Sequence, residues 1–184
     1  MQERETFDIV EFFIANKRNI GYAAGALFLL ICDPSKASML FGIIFCVAGE
    51  IVRAYALSES TDREKLTTTG IYGYVRNPEY LGNFIVGIGI FVMGNIFIFT
   101  ALFIIAYLAI YSERIKMEEE LKRDVYGEEF EDYAFNVPGL MPRFTPWDED
   151  ESHLKIDTGT LIKLKEYQVW LLIYIITIIM FLKT

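Results

Sequence analysis

The chain is poor in the residues that bind metals and form disulfides. It has one histidine, His153, and two cysteines, Cys32 and Cys46. A zinc site of the usual kind needs three or four His and Cys ligands, so this set does not supply one. Both cysteines lie in apolar runs, where a free thiol packs as a small hydrophobic residue. The sequence therefore predicts no metal site and no disulfide.

The chain also lacks a surplus of positive charge. Its formal net charge is −8, and no basic stripe is present that could neutralise phosphates. Nucleic acid is therefore excluded as a partner. The first residues, MQERETFDIVEFF, have no basic start followed by a long apolar run, so we expect no cleaved signal peptide. What the chain has instead is apolar residues, which make up 53% of it.

These apolar residues are concentrated in long segments, at 19–32, 37–57, 80–111 and 167–182. A bilayer core of about 30 Å needs about 20 helical residues. The third segment would be about 48 Å long as one helix, so we expect it to fold back at Gly94-Asn95 as a helical hairpin. The sequence thus predicts an all-α integral membrane bundle of about five transmembrane helices, with residues 1–184 forming one membrane domain.

Local signals fix two helix ends near this hairpin. Asn77, Pro78 and Glu79 form a good helix start, with Asn77 as N-cap, proline in the first position and an acid in the first turn. Beyond Tyr111 the helical character continues to Gly127, a predicted stop. The second helix of the hairpin should therefore project into water.

The distribution of Lys and Arg predicts the orientation. With the N-terminus in the cytosol and five spans, 15 of the 17 Lys and Arg residues lie on the cytosolic side, and only Lys36 and Lys183 do not. This agrees with the positive-inside rule. It also places two polar loops, 58–79 and 112–166, on the same cytosolic side.

Each of these loops carries an unusual group of residues. The first contains GIYGYVRNPEYLG, and the second begins with ERIKMEEELKR. Taken alone, the first stretch could equally well be a membrane re-entry turn with interfacial tyrosines as a binding site. The second, taken alone, could be a solvated, charged helix end. Together they place a helix N-terminus, which favours a carboxylate, beside glutamates, which favour an ammonium. With tyrosines as flat walls, this set suits a zwitterion that carries an aromatic base.

The two loops also carry a family pattern. The pattern is G-x-Y-x-x-x-R-[HN]-P-x-Y-x-G, then R-x-x-x-E-E, F/Y-G-x-x-[FY]-x-x-Y, V-P and P. All of it is present in LTTTGIYGYVRNPEYLG and ERIKMEEELKRDVYGEEFEDYAFNVPGLMP. In these motifs the chain resembles the integral-membrane methyltransferases of the isoprenylcysteine carboxyl methyltransferase and phospholipid methyltransferase superfamily. The resemblance covers about residues 49–142, which would form the methyltransferase core.

The resemblance implies a fold without a Rossmann domain that binds S-adenosylmethionine at the cytosolic membrane face. Arg114 and Glu118 would be catalytic, and Arg114 and Arg76 would bind the methyl acceptor. Asn77 stands where the eukaryotic carboxyl methyltransferases carry His, so their acceptor specificity is not carried over. By motif position, the cofactor-binding residues would be Leu66, Thr67, Tyr72, Asn77, Pro78, Glu79, Tyr80, Glu118 and Glu119.

The choice of acceptor rests on the chemistry of the two candidates. A carboxylate is already a nucleophile and needs only a cation such as Arg114 to orient it. An amine must first lose a proton and needs a base. We therefore expect O-methylation of an isoprenylcysteine-like or other lipophilic carboxylate. A phospholipid amine N-methyltransferase is the alternative, and a non-catalytic membrane structural protein is a further one.

Two regions outside this pattern are interpreted from composition alone. Residues 139–166 are predicted to be a linker, and residues 167–182 an extra C-terminal transmembrane helix. In the second apolar segment, Glu50 and Arg53 are three residues apart and could pair on one helix face. That pair is either structural or a contact to the acceptor or the loop.

Overall fold

The computed structural model describes residues 9–59, 65–147 and 156–184. In these ranges the chain is helical and contains no β-strand, as the sequence predicts; His153 lies outside them. The helices are α1 (Ile9–Ile31), α2 (Lys36–Glu59), α3 (Pro78–Met93), α4 (Phe97–Tyr126), α5 (Glu128–Asn136), α6 (Thr158–Lys163) and α7 (Tyr167–Phe181), with a 3-10 turn at Gly70–Gly73.

The predicted helix ends are found where the local signals lie. Helix α3 ends at Met93 and α4 begins at Phe97. Asn95 in the turn between them adopts a left-handed conformation, with φ 58°. Helix α4 continues to Tyr126, and Gly127 ends it with φ 55°, which confirms the predicted stop. The short helix α6 is not predicted from the sequence.

Helices α2 and α3 pack so closely that glycine is required at their contact. A Cβ on Gly49 would lie 2.7 Å from the Gly82 carbonyl oxygen, and one on Gly89 would lie 2.7 Å from the Gly42 carbonyl oxygen. Because the pairing runs in opposite directions, the two helices are antiparallel. The GxxxG of α1 does not act in this way, since a Cβ at Gly25 would meet nothing within 4 Å.

Aromatic rings join α3 to α4. Phe91 stacks on Phe103 with centroids 5.0 Å apart, and Tyr80 lies 5.4 Å from Tyr111. The order of these pairs makes α3 and α4 antiparallel neighbours. As a result, the N-terminus of α3 lies beside the part of α4 that begins at Tyr111, which is where both predicted loops meet.

The helices expose apolar side chains on a scale that suits lipid. Helices α2 and α4 are each long and apolar enough to cross a membrane, and Gly21–Ile31, Pro78–Met93 and Tyr167–Phe181 are shorter apolar helices. Large exposed apolar surfaces on a monomer mark contact with a partner or a membrane. The surface therefore supports membrane residence, while the number of crossings and the orientation stay predictions.

Candidate functional site

The first half of the site is the loop between α2 and α3. Glu59, at the end of α2, accepts a hydrogen bond from the backbone nitrogen of Ile71 at 2.9 Å. Gly70 is needed here, because its φ is 58° and a Cβ would lie 2.0 Å from the Glu59 carboxylate. The start of the 3-10 turn is thereby fixed to α2. Glu59 was not predicted as a site residue from the sequence, although its position next to the loop was a usable signal.

The segment after α5 holds this loop from the other side. The backbone nitrogens of Arg76 and Asn77 donate to the carbonyls of Pro138 and Gly139, at 2.9 and 3.2 Å. Further along, Trp147 donates to the Gly73 carbonyl at 3.0 Å. Residues 138–147, most of which belong to the predicted linker, are therefore bound to the loop by backbone hydrogen bonds.

Arg76 and Glu119 join the two loops directly. Arg76 Nε and Nη2 each lie 2.9 Å from a carboxylate oxygen of Glu119. The remaining nitrogen, Nη1, donates to the carbonyls of Ala134 and Val137 at 2.6 and 2.5 Å. Both charged groups are mostly buried and are engaged with each other. This arrangement suits a positioning role better than a direct contact to a substrate.

Asn77 lies at the N-cap position of α3, as predicted, but its side chain does not cap the helix. Instead, its amide nitrogen donates to Glu119 at 2.8 Å and to the Gly139 carbonyl at 3.0 Å. The capping interpretation of this side chain is wrong because Glu119, a charged acceptor, competes for the amide. The backbone amides of the first turn of α3 are left without a side-chain cap.

Tyr80, Arg114 and Glu118 form a second polar group. The Tyr80 hydroxyl donates to Glu118 Oε1 at 2.5 Å, and Arg114 Nε lies 2.9 Å from that hydroxyl and 3.3 Å from the same carboxylate oxygen. The structure thus confirms that Arg114 and Glu118 share one helix face. The Arg114 side chain is 66% exposed and the Glu118 side chain 39% exposed, so this group is open to a ligand.

The other residues expected to bind the cofactor have varied surroundings. Leu66 packs against the buried cluster of α5. Tyr72 donates its hydroxyl to the Ala56 carbonyl at 3.3 Å. Pro78 is buried in the first turn of α3, whereas Glu79 in the same turn is exposed. Thr67 is half-buried in the loop.

The surroundings of Glu119 and Tyr133 shift the pKa values of these two groups in opposite directions. Burial acts to raise the pKa of Glu119, but the hydrogen bonds from Arg76 and Asn77 outweigh it and hold that pKa below its ordinary value. Burial raises the pKa of Tyr133, whose hydroxyl donates to the Tyr72 carbonyl at 2.8 Å. Glu119 is therefore a permanent anion near neutral pH, and Tyr133 a permanent hydroxyl donor.

The donor set fits a zwitterionic cofactor. Glu118 Oε2 makes no hydrogen bond to any described residue, so it is available to an ammonium group. The uncapped first turn of α3 can receive a carboxylate. Across 9–59, 65–147 and 156–184, no His, Cys, Asp and Glu side chains come together in a group that could hold a metal ion.

A second polar cluster, deeper in the helices, is larger than the predicted pair. Arg53 Nε lies 3.5 Å from Glu50, which confirms that pair. Arg53 also contacts Asn83 of α3 and, at 2.6 Å, Glu166 at the start of α7. Neither Asn83 nor Glu166 was predicted from the sequence to belong to this cluster. The signal for Asn83 was a polar side chain inside an apolar helix.

Comparison with known proteins adds a family. A family model described as phospholipid methyltransferase matches residues 35–129, about half of the chain. A protein-S-isoprenylcysteine O-methyltransferase of Schizosaccharomyces pombe is 34% identical over 95 residues, which are 52% of this chain and 40% of that protein. A probable protein-S-isoprenylcysteine O-methyltransferase of Oryza sativa subsp. indica is 30% identical over 113 residues, covering 55% of this chain and 59% of that protein.

A third relative carries a different name. The nickel-cobalt-cadmium resistance protein NccN of Alcaligenes xylosoxydans xylosoxydans is 27% identical over 133 residues, 72% of this chain and 61% of that protein. The chain thus spans between 40% and 61% of the length of these three relatives. No solved structure matches the chain at a significant level.

Proposed function

The chain belongs to the phospholipid methyltransferase family, and we propose that it is an integral-membrane methyltransferase that uses S-adenosylmethionine and methylates a lipophilic carboxylate. The observation that carries this proposal is the group formed by Tyr80, Arg114 and Glu118 at the N-terminus of α3. It combines an exposed cation, a carboxylate with a free oxygen and an uncapped helix start. The names of the isoprenylcysteine O-methyltransferases among its relatives support an isoprenylcysteine-like acceptor.

The roles of the residues follow from their chemistry. S-adenosylmethionine supplies an electrophilic methyl group on a sulfonium sulfur. In the transfer, a carboxylate oxygen of the acceptor forms the new C–O bond while the C–S bond breaks and its electron pair stays on sulfur. No proton moves, so the protein needs no general base. Glu118 would hold the ammonium group of the cofactor, and Arg114 would orient the acceptor carboxylate by paired hydrogen bonds.

The remaining predicted residues would shape the site. The loop residues Leu66, Thr67, Tyr72, Asn77, Pro78, Glu79 and Tyr80 would line the cofactor. Arg76 and Glu119 would hold the two loops in register rather than touch the reacting atoms, because they are engaged with each other and with backbone carbonyls. The five spans, the cytosolic N-terminus and the cytosolic site belong to this proposal.

One observation keeps a second candidate function open. Arg114 is an exposed cation that can bind the phosphate of a phospholipid as well as a carboxylate. The family model bears the phospholipid name. Amine N-methylation of a phospholipid is therefore the alternative. It has the added requirement of a base, and Glu118 would serve poorly while paired with an ammonium group.

Methyl transfer from labelled S-adenosylmethionine to farnesyl-cysteine or phosphatidylethanolamine separates these functions. The purified protein receives one acceptor at a time, and the products are then treated with base. We expect base-labile, volatile label from farnesyl-cysteine, since a methyl ester is cleaved by base. Base-stable label in the phospholipid would establish N-methylation instead. A protein that bound no S-adenosylmethionine would contradict both and favour a structural role.

A further inference from the structure

Arg53 is a buried cation inside an apolar helix. Its exposed fraction is 7%, and its three partners come from three helices: Glu50 of α2, Asn83 of α3 and Glu166 at the start of α7. An ionisable side chain at such a position is costly and is usually retained for function. The network also links the methyltransferase segment to a part of the chain outside it, because Glu166 lies beyond the residues 35–129 that match the family model.

A specific turn delivers Glu166 to this network. Lys165 has a φ of 60°, a left-handed conformation that non-glycine residues rarely adopt. The backbone nitrogens of Glu166 and Lys165 donate to the carbonyls of Leu161 and Ile162, at 3.0 and 3.1 Å. This is the hydrogen-bond pattern of a Schellman motif at the end of α6. The turn brings the Glu166 carboxylate to 2.6 Å from Arg53 Nη2.

Arg53 fixes the orientation of the Asn83 amide. A guanidinium group can only donate hydrogen bonds, so it must face the oxygen of the amide, as it does here through Nη1 and Oδ1. The amide nitrogen therefore points away from Arg53. It makes no hydrogen bond to any described residue, and it is not among the buried polar atoms that lack a partner. Two N–H donors are thus fixed in place and left available.

Asn83 and Tyr80 of the candidate site lie on the same helix, α3. Asn83 follows Tyr80 by about one turn, further from the N-terminus of α3. The start of α3 is held in place, since the Tyr107 hydroxyl donates to the Tyr80 carbonyl at 2.8 Å. A lipophilic acceptor that enters from the membrane would bring its polar end to this level.

We propose that Asn83 Nδ2 donates a hydrogen bond to an oxygen of the methyl acceptor, and that Arg53 and Glu166 are positioning residues that hold the amide in this orientation. The inference rests on the proposed function. It makes Asn83 a specificity residue for acceptors with a carboxylate or another oxygen acceptor group. It also gives the last helices, whose role the sequence left open, a part in acceptor binding.

Steady-state kinetics with farnesyl-cysteine and S-adenosylmethionine tests the proposal. We expect Asn83→Leu to raise the KM for farnesyl-cysteine about 10-fold or more, the usual weight of a hydrogen bond to a charged group. The KM for S-adenosylmethionine should stay at the wild-type value. Asn83→Asp should raise the acceptor KM further, because its carboxylate repels the carboxylate of the acceptor.

The positioning role has its own variants. Glu166→Leu should raise the acceptor KM and leave the cofactor KM unchanged, and Glu166→Gln, which keeps an oxygen for Arg53, should recover most of the loss. Glu131→Gln is the matched control, because it weakens an exposed ion pair with Arg123 on the polar end of the molecule. It should change neither KM.

Each contrary result has a distinct meaning. An Asn83→Leu protein with wild-type KM for farnesyl-cysteine and wild-type cofactor affinity would overturn the contact. If Glu166→Leu raised both KM values equally, Glu166 would have only a structural role and the positioning claim would fail. If the wild-type protein bound S-adenosylmethionine but methylated neither farnesyl-cysteine nor phosphatidylethanolamine, the proposed function itself would fail, and this inference with it.

Discussion

The guanidinium group of Arg76 holds both carboxylate oxygens of Glu119, with two nitrogen–oxygen distances of 2.9 Å. One residue precedes α3 and the other lies in the polar end of α4, so this pair closes the two loops onto each other. The pair is mostly buried, and the same arginine satisfies two carbonyls near the end of α5. The site therefore depends on a contact that need not touch any ligand.

Removing the arginine should destabilise the whole polar end of the molecule. Arg76→Ala leaves Glu119 largely buried without its cation, and such a loss costs about 3 kcal/mol in the free energy of unfolding. Titration with a denaturing detergent measures this change. Glu131→Gln, which weakens the exposed pair with Arg123, should cost less than about 1 kcal/mol. If both variants lost the same free energy of unfolding, burial of the pair between Arg76 and Glu119 would add nothing to stability.

The same pair predicts a dependence of stability on pH. The pKa of Glu119 is lower in the folded protein than its ordinary value of 4.5. A carboxylate of this kind stabilises the fold fully above its unfolded-state pKa, and the stabilisation is lost as the pH falls through the folded-state pKa. At pH 7 the thermal unfolding midpoint of the wild-type protein should therefore be higher than that of the Glu119→Gln variant. This difference between the two midpoints should shrink below about pH 4.5.

The emission of Trp147 is a suitable measure of this difference, because its ring lies 5.8 Å from that of Tyr133 in α5. A Trp170→Phe background leaves Trp147 as the only tryptophan. A difference between the two proteins that stayed constant from pH 7 to pH 3 would mean that Glu119 does not titrate with a lowered pKa.

The close contact of α2 and α3 should not tolerate a methyl group. Gly49→Ala would place a Cβ 2.7 Å from the Gly82 carbonyl oxygen, where backbone cannot move aside cheaply. Overpacking of this kind costs about 1 to 3 kcal/mol. Gly25→Ala is the matched control, since its Cβ would meet nothing within 4 Å. Detergent titration of both variants checks this, and a stable Gly49→Ala protein would show that the helices can separate locally.

Helix positions could be predicted from the sequence because their signals are local. Apolar runs, the Asn77-Pro78 start and the Gly127 stop lie within a few residues of the ends they define. The meeting of the two loops followed from the expected fold-back of the chain. In contrast, the contact between Arg53 and Glu166 joins residues 113 positions apart, and no periodic pattern marks such a pair.

The pairing of residues 138–147 with the loop was missed for a related reason. A proline-rich segment favours an extended backbone. An extended backbone is found both in linkers and in segments that bind to another part of the same protein. Whether such a segment is a linker or a bound segment depends on whether another stretch of backbone offers it hydrogen bonds. Here the partner is the backbone of residues 73–77, which presents free carbonyl and N–H groups to the segment.

Variants of Glu118 and Arg114, which form one group with Tyr80, should affect cofactor binding and methyl transfer separately. Glu118→Gln removes the negative charge expected to hold the cofactor ammonium, and a hydrogen bond to a charged group is worth about 1.5 to 3 kcal/mol. We therefore expect its affinity for S-adenosylmethionine, measured by titration calorimetry, to fall about 10- to 100-fold. Wild-type affinity in this variant would remove Glu118 from the cofactor site.

Arg114→Ala should keep cofactor binding and lose methyl transfer. Its side chain is 66% exposed and contacts Glu118 only at 3.3 Å, so its loss leaves the carboxylate in place. Cofactor affinity should then stay within a few-fold of the wild-type value, while transfer to farnesyl-cysteine is abolished because the acceptor carboxylate has lost its cation. Arg114→Lys, which keeps the charge without the paired donors, should recover part of the transfer. Full turnover by Arg114→Ala would place the acceptor elsewhere, and Asn83 with its fixed amide would then be the first residue to test.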